Sequence, residues 1–152
     1  MTRGDARELA VHLIYSQTFT GDEPEKVVAE RLQKEYYEKL AAENDVYAER
    51  PRGAQLAYID TVVAGVINRM DALNALIQEY SISWDVSRIS RLARTIMQLA
   101  IYEIQNVADV PTGVAVSEAV RLAKKYDGGD TGAFVNGILG AYARSLTPEE
   151  VK

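Results

Sequence analysis

Apolar residues recur along this chain at helical spacing, and no clear alternating run bounded by turns marks a strand. The first periodic segment predicts a helix from about Arg3 to Phe19. Leu9, Leu13 and Gln17 fall on one side of it. Ala10, Val11, Ile14, Tyr15 and Phe19 form a broad apolar surface beside them. Gly21-Asp22-Glu23-Pro24 reads as a stop and a restart, with Asp22 able to cap and Pro24 tolerated in a first helical turn. Val27, Val28, Leu32, Tyr36 and Leu40 predict a second helix from Pro24 to Ala42. Residues 43–52 are polar, end near Pro51 and read as a loop.

Leu56, Ile59, Val63, Val66, Ile67, Met70, Leu73 and Ile77 predict a third helix over 53–80, with Gly65 as a bend or a close-packing point. A short connection with Ser83 as a cap leads to a helix or helix pair over 85–107. Pro111 and Thr112 open a helix to Tyr126, and Asp127-Gly128-Gly129-Asp130 ends it. Asp130 or Thr131 caps a last helix that closes near Ser145, and residues 147–152 read as a frayed tail. The expectation is an all-α fold of six or seven helices in one domain, 1–146, built of two small packed bundles of about 1–82 and 83–146.

Composition narrows the chemistry. Hydrophobic residues make up 47 % of 152, enough for a packed core. There is no cysteine, which excludes disulfides, thiolate metal sites and a cysteine nucleophile. The N-terminus lacks the apolar core of a signal peptide, and no apolar run approaches a membrane span, so a cytoplasmic protein is expected. The only histidine, His12, lies mid-helix among apolar residues with no evident partner, and reads as structural. Carboxylate clusters such as Asp22-Glu23-Glu25 sit at helix ends or loops, where they are solvated or meet a helix dipole. No catalytic residue, metal site or cofactor is expected.

The net charge is −5, which as a global field repels phosphate. The distribution is uneven. Residues 1–82 hold nine Lys or Arg against fourteen Asp or Glu, whereas residues 83–146 hold seven against six. RNA binding would need local basic patches. Arg88, Arg91 and Arg94, three apart, make one basic stripe on a helix that could face RNA or an acidic partner. Arg3 and Arg7 are an i, i+4 pair at a helix start, where the macrodipole disfavours them. Lys124 and Lys125 precede the glycine-rich Asp127–Gly132 segment. That segment lacks the Gly-Lys-Ser/Thr ending and preceding strand of a nucleotide P-loop, but could contact an RNA backbone. Among nine tyrosines, Tyr126, with Phe134, flanks the glycine loop and is a stacking candidate.

Several ordered motifs occur together: Ala6-Arg7-Glu8 and Ile14-Tyr15 near the start; Ala100-Ile101-Tyr102-Glu103; Val110-Pro111; Val114 to Tyr126; and Phe134-Val135-Asn136-Gly137-Ile138-Leu139. In combination the chain resembles the NusB family of bacterial transcription antitermination factors over residues 3 to about 145. The resemblance implies an all-helical, non-enzymatic adaptor. Such adaptors pair with the ribosomal small-subunit protein NusE, bind boxA RNA in nascent transcripts and act with the RNA polymerase antitermination complex. Self-association is also permitted by the apolar helix faces.

By position, the resemblance implies RNA contacts at Arg3, Arg7 and the Lys124–Asn136 region, including Lys125, Tyr126, Asp130, Phe134 and Asn136. Partner contact is implied at Tyr15, and the stripe adds Arg88 and Arg91. Gly4 and Asp5 stand where basic residues are frequent, Gln98 where arginine is usual and Ser117 where asparagine is usual. Fewer phosphate contacts imply weaker RNA binding by this chain alone, with NusE supplying part of the basic surface. The alternative is a helical protein–protein adaptor of the same fold whose RNA binding is weakened or lost.

Overall fold

The computed structural model describes residues 1–81 and 89–146. Among these residues there are eight α-helices, one 3-10 turn and no strand. They divide into two compact units, Met1–Asn68 and Arg69–Lys152. The division falls between residues 68 and 69, not near residue 82.

The first unit holds α1 (Arg3–Thr20), α2 (Pro24–Arg31), α3 (Lys34–Leu40), a 3-10 turn (Asp45–Tyr47) and α4 (Gly53–Asn68). Its start is locally encoded: the Thr2 hydroxyl accepts from the Asp5 N–H at 3.0 Å, a side-chain N-cap. Its end is encoded too. Gly21 adopts φ 69°, ψ 11°, and its N–H reaches the Gln17 carbonyl, a left-handed cap open to glycine. α1 packs on α4, α2 and the 3-10 turn, and α2 packs on α4. Leu9, Leu13 and Ile14 of α1 are buried, as are Val27, Leu32, Ile59, Val62, Val63 and Val66. The apolar surface of α1 does not continue to its end, because Phe19 is 62 % exposed.

Two expected helices are each broken. The predicted helix Pro24 to Ala42 is two, α2 and α3, interrupted where Gln33 is extended at φ −59°, ψ 137°. The interruption changes which tyrosine goes inside. A continuous helix would bury Tyr36. Instead Tyr37 is 1 % exposed, and its hydroxyl donates toward the Val46 carbonyl at 3.1 Å and the Glu49 carbonyl at 2.6 Å. The loop 43–52 is therefore not merely polar chain: it contains the 3-10 turn and buries Val46. Asp22 does not cap α2. Glu23 holds the N-cap position without a side-chain bond, and Pro24 follows at the first helical position.

The predicted helix 53–80 is likewise two. α4 ends at Asn68 and α5 runs Met70–Tyr80, separated by Arg69 at φ −122°, ψ 18°. Gly65 lies buried inside α4 and is not the break.

The second unit comprises α5, α6 (Arg91–Asn106), α7 (Thr112–Asp127) and α8 (Gly129–Ser145). α7 and α8 form a hairpin, and α6 packs on α5, α7 and α8. From Thr95 to Ile104 every residue of α6 is buried. The helix lies inside the unit, and its polar residues Thr95, Gln98 and Glu103 are buried with the apolar ones. The Tyr102-Glu103 segment is thus packing. In α7 only Ala115, Ala119, Leu122 and Ala123 are buried, whereas Val114 is 43 % exposed. Ser83 and Arg88, and the tail 147–152, lie outside the described residues.

Candidate RNA and partner interface

The turn between α7 and α8 is set by one residue. Gly128 has φ 91°, a conformation that L side chains rarely adopt, and its N–H returns to the Lys124 carbonyl at 3.2 Å. It serves as C-cap of α7 and N-cap of α8, with no side-chain cap on the latter. The expected cap from Asp130 or Thr131 is therefore not made. Asp130 lies one residue inside α8, exposed, and the Thr131 hydroxyl donates back to the Asp127 carbonyl at 3.5 Å.

Around this turn the second unit gathers most of the residues expected to meet RNA. Lys124 and Lys125 are exposed on the last turn of α7, where the helix dipole favours cations. Lys125 Nζ lies 5.5 Å from the centroid of the half-buried Tyr126 ring. Asn136 is exposed on α8 and Phe134 is half-buried. Gly132, read from the pattern only as the end of the glycine-rich segment, lies against Lys124. A Cβ there would sit 2.5 Å from Lys124 Cγ, so the lysine stem lies directly over the bare glycine backbone. The contact with Lys124 follows from the position of Gly132 one turn into a helix that folds back on a lysine-bearing turn.

Ser90 fixes the start of α6 to the same turn. Its hydroxyl accepts from the Ala93 N–H at 3.0 Å as an N-cap and donates to Asp127 Oδ2 at 2.7 Å. Arg91, exposed and next in sequence, is thereby held near the C-terminus of α7, and Arg94 is half-buried. Arg88 lies outside the described residues, so the three-residue stripe is described only at Arg91 and Arg94.

In the first unit, Arg3 and Arg7 converge on one aromatic ring of α4. The Arg3 guanidinium carbon is 4.3 Å from the Tyr58 centroid and its Nε donates to Gln55 Oε1 at 2.9 Å. Arg7 lies 5.9 Å from that ring and is only 4 % exposed. Arg3 keeps partial exposure, whereas Arg7 is a packed residue. The expectation that Arg7 is a surface contact is corrected by its burial. Arg7→Ala is expected to lower unfolding free energy by about 1–2 kcal/mol, through lost stem packing and the lost cation over Tyr58. Urea unfolding checks it; an unchanged midpoint would return Arg7 to a surface role.

Tyr15 is half-buried and meets Phe19 edge to face, ring centroids 5.1 Å apart. His12 Nδ1 lies 2.7 Å from the Tyr47 hydroxyl, a structural contact linking α1 to the 3-10 turn. Among the described residues no three His, Asp or Glu side chains cluster as metal ligands do.

Known proteins share both the sequence and this architecture. The chain is 35 % identical over 146 residues to transcription antitermination protein NusB of Symbiobacterium thermophilum, covering 96 % of this chain and 92 % of that one. It is 39 % identical over 140 residues to the protein of the same name from Acetivibrio thermocellus, covering 92 % and 87 %. In fold it is similar to NusB of T. maritima, with a TM-score of 0.78 at 24 % identity over 99 % of this chain and 96 % of that chain. It is also similar to a chain in a crystal structure of the antitermination factors NusB and NusE in complex with double-stranded RNA. There the TM-score is 0.71 at 19 % identity, covering 95 % and 97 %. A model of the NusB family matches residues 4–144, and the chain belongs to that family.

Proposed function

We infer that this chain is a transcription antitermination factor. Together with the ribosomal protein NusE it binds boxA RNA in nascent ribosomal transcripts and helps RNA polymerase read through terminators. Family membership across residues 4–144 is the observation that carries this reading. The geometry supports it with an exposed Lys124–Lys125 pair, Lys125 lying over the half-buried Tyr126 ring. The role is that of a non-enzymatic adaptor: its work is to hold two ligands at once, and no step makes or breaks a covalent bond. The reading assigns it to the cytoplasm, and no helix among the described residues is long and apolar enough to cross a membrane.

Because Arg7 is buried and Arg3 is stacked on Tyr58, little basic surface remains at the start of α1. RNA affinity of the chain alone is therefore expected to be weak, and binding of NusE and RNA to be cooperative. Linkage requires each ligand to raise the affinity for the other by the same factor. A titration with boxA RNA, with and without NusE, measures that factor. A boxA affinity unchanged by NusE overturns co-recognition. Equal, weak binding of boxA and scrambled RNA at every salt concentration would favour the second reading, an adaptor that binds protein alone. The burial of Arg7 is the observation on that side.

A further inference from the structure

A groove of about 630 Å³ lies between α2 and α4, within the first unit. Two rows of residues spaced four apart form its walls. Pro24, Val28 and Leu32 line it from α2 and its cap, and Leu56, Asp60 and Ala64 line it from α4. Residues four apart share one face of a helix. Each row spans eight residues, so the groove is about 12 Å long. All of these but Asp60 are apolar, and Val28, Leu56 and Ala64 are only half-buried, which leaves an apolar floor open to water. No residue of α1 lines it, so the groove is separate from the Tyr15 face.

The charges on its rim are ordered. Arg50 Nη2 donates to the Leu32 carbonyl at 2.8 Å, which holds the guanidinium where α2 ends and α4 is about to begin. The two packed helices run in opposite directions from this end. Asp60 stands one turn beyond Leu56 on α4, and Glu25 stands in the first turn of α2, about 10 Å from Leu32 along the axis. All three charged side chains are exposed, and none is in an ion pair among the described residues. Helices carry acidic residues best in the first turn and basic residues best in the last. A helix laid in the groove with its N-terminus at Arg50 therefore meets opposite charge at both ends, whereas the reversed helix meets like charge. RNA is disfavoured, because two of the three rim charges are carboxylates.

We propose that the groove between α2 and α4 docks an amphipathic helix of a protein partner. The acidic first turn of that helix meets Arg50, its apolar stripe covers Val28, Leu32 and Leu56, and its basic last turn meets Asp60 and Glu25. This is helix-in-groove recognition, with the apolar stripe supplying affinity and the rim charges supplying direction. The site is additional to those for RNA and NusE and gives the adaptor a further point of attachment.

The probe is a fluorescein-labelled peptide of helical pattern, about twelve residues long, acetylated and amidated at its ends. It carries glutamate in its first turn, leucine along one face and lysine in its last turn. A second peptide has glutamate and lysine exchanged. Fluorescence anisotropy with the full-length chain reads both affinities, with thermal melting as the fold control. The first peptide is expected to bind with a Kd of about 10–100 µM, and the second about fivefold more weakly, since exposed charge pairs contribute modestly. Replacing the leucines by alanine should abolish binding. Ala29→Gln, at an exposed position that lines the groove, should weaken both peptides several-fold. Arg50→Glu combined with Asp60→Lys should invert the preference, and tighter binding of the second peptide is a gain that a misfolded variant cannot give. Saturating NusE should leave the peptide bound. The proposal is overturned by no saturable binding to the wild type, by equal affinity for the two peptides, by an unchanged preference in the charge-swapped variant, or by displacement with NusE.

Discussion

Tyr37→Ala is expected to lower the unfolding free energy of the first unit by about 3–5 kcal/mol, the usual range for removing a large buried aromatic ring. The residue is 1 % exposed, so the ring leaves a cavity lined by groups that the short α3 cannot close on its own. Its hydroxyl also satisfies the Val46 and Glu49 carbonyls, and Val46 lies in the buried part of the loop. Tyr37→Phe separates the two contributions. It keeps the ring and leaves two carbonyls without this donor, which costs about 1–3 kcal/mol.

The same hydroxyl makes stability depend on alkaline pH. Burial pushes the Tyr37 hydroxyl from 10.0 up to about 12, with Tyr47 and Glu49 adding to the effect. Burial likewise pushes Tyr47 up to about 12, with Tyr36 adding and Arg31 opposing. A folded-state value above the unfolded one means that the native state keeps protons which the unfolded chain has released. The stabilisation is therefore fully present below pH 10 and is lost as pH rises through about 12. For Tyr37 it is on the order of 2–3 kcal/mol. Denaturant unfolding at pH 8, 10 and 11.5 should show falling stability in the wild type and a shallower fall in Tyr37→Phe. Equal pH profiles would mean that Tyr37 does not carry the effect.

Tyr37 also shows where sequence reading ends. The start of α1 at Arg3, the glycine stop at residue 21, the Pro111 entry to α7 and the Gly128 turn were all legible, because each rests on local backbone chemistry. The breaks after Leu32 and at Arg69 were not. The first has no glycine or proline nearby to mark it, Gly65 lies four residues before the second without breaking α4, and the apolar spacing runs through both. What decides them is tertiary. One break lets Tyr37 reach two loop carbonyls, and at the other the Arg69 guanidinium lies 5.5 Å over the Tyr102 ring of α6.

The candidate site divides in the same way. Lys124, Lys125 and Asn136 are exposed as the motif implied, since the C-terminus of a surface helix presents its cations to water. Arg7 is not, because i, i+4 spacing places two arginines on one face without saying which partner that face covers. Phe19 continued the apolar pattern of α1 but lies beyond the reach of the core, and periodicity alone does not report where a neighbouring helix stops.

Replacing both Lys124 and Lys125 by alanine is expected to lower boxA affinity by between about ten- and hundredfold near physiological salt. Phosphate contacts act through released counterions, so the slope of log affinity against log salt should fall by about 1.4 if both lysines meet a single strand. Scrambled RNA should lose affinity by the same factor, because backbone contacts carry no base information. NusE affinity should not change. Stability should change little, since both side chains are exposed. Gly132→Ala tests the arrangement from the opposite helix. The new methyl group displaces the Lys124 stem, while alanine improves helix propensity by about 0.5–1 kcal/mol. RNA affinity should therefore fall several-fold, while the propensity gain offsets part of the cost of moving the Lys124 stem. Equal salt slopes in the wild type and the double variant would remove the end of α7 from the RNA surface. Arg3, the partly exposed cation at the start of α1, would then be left as the contact to test.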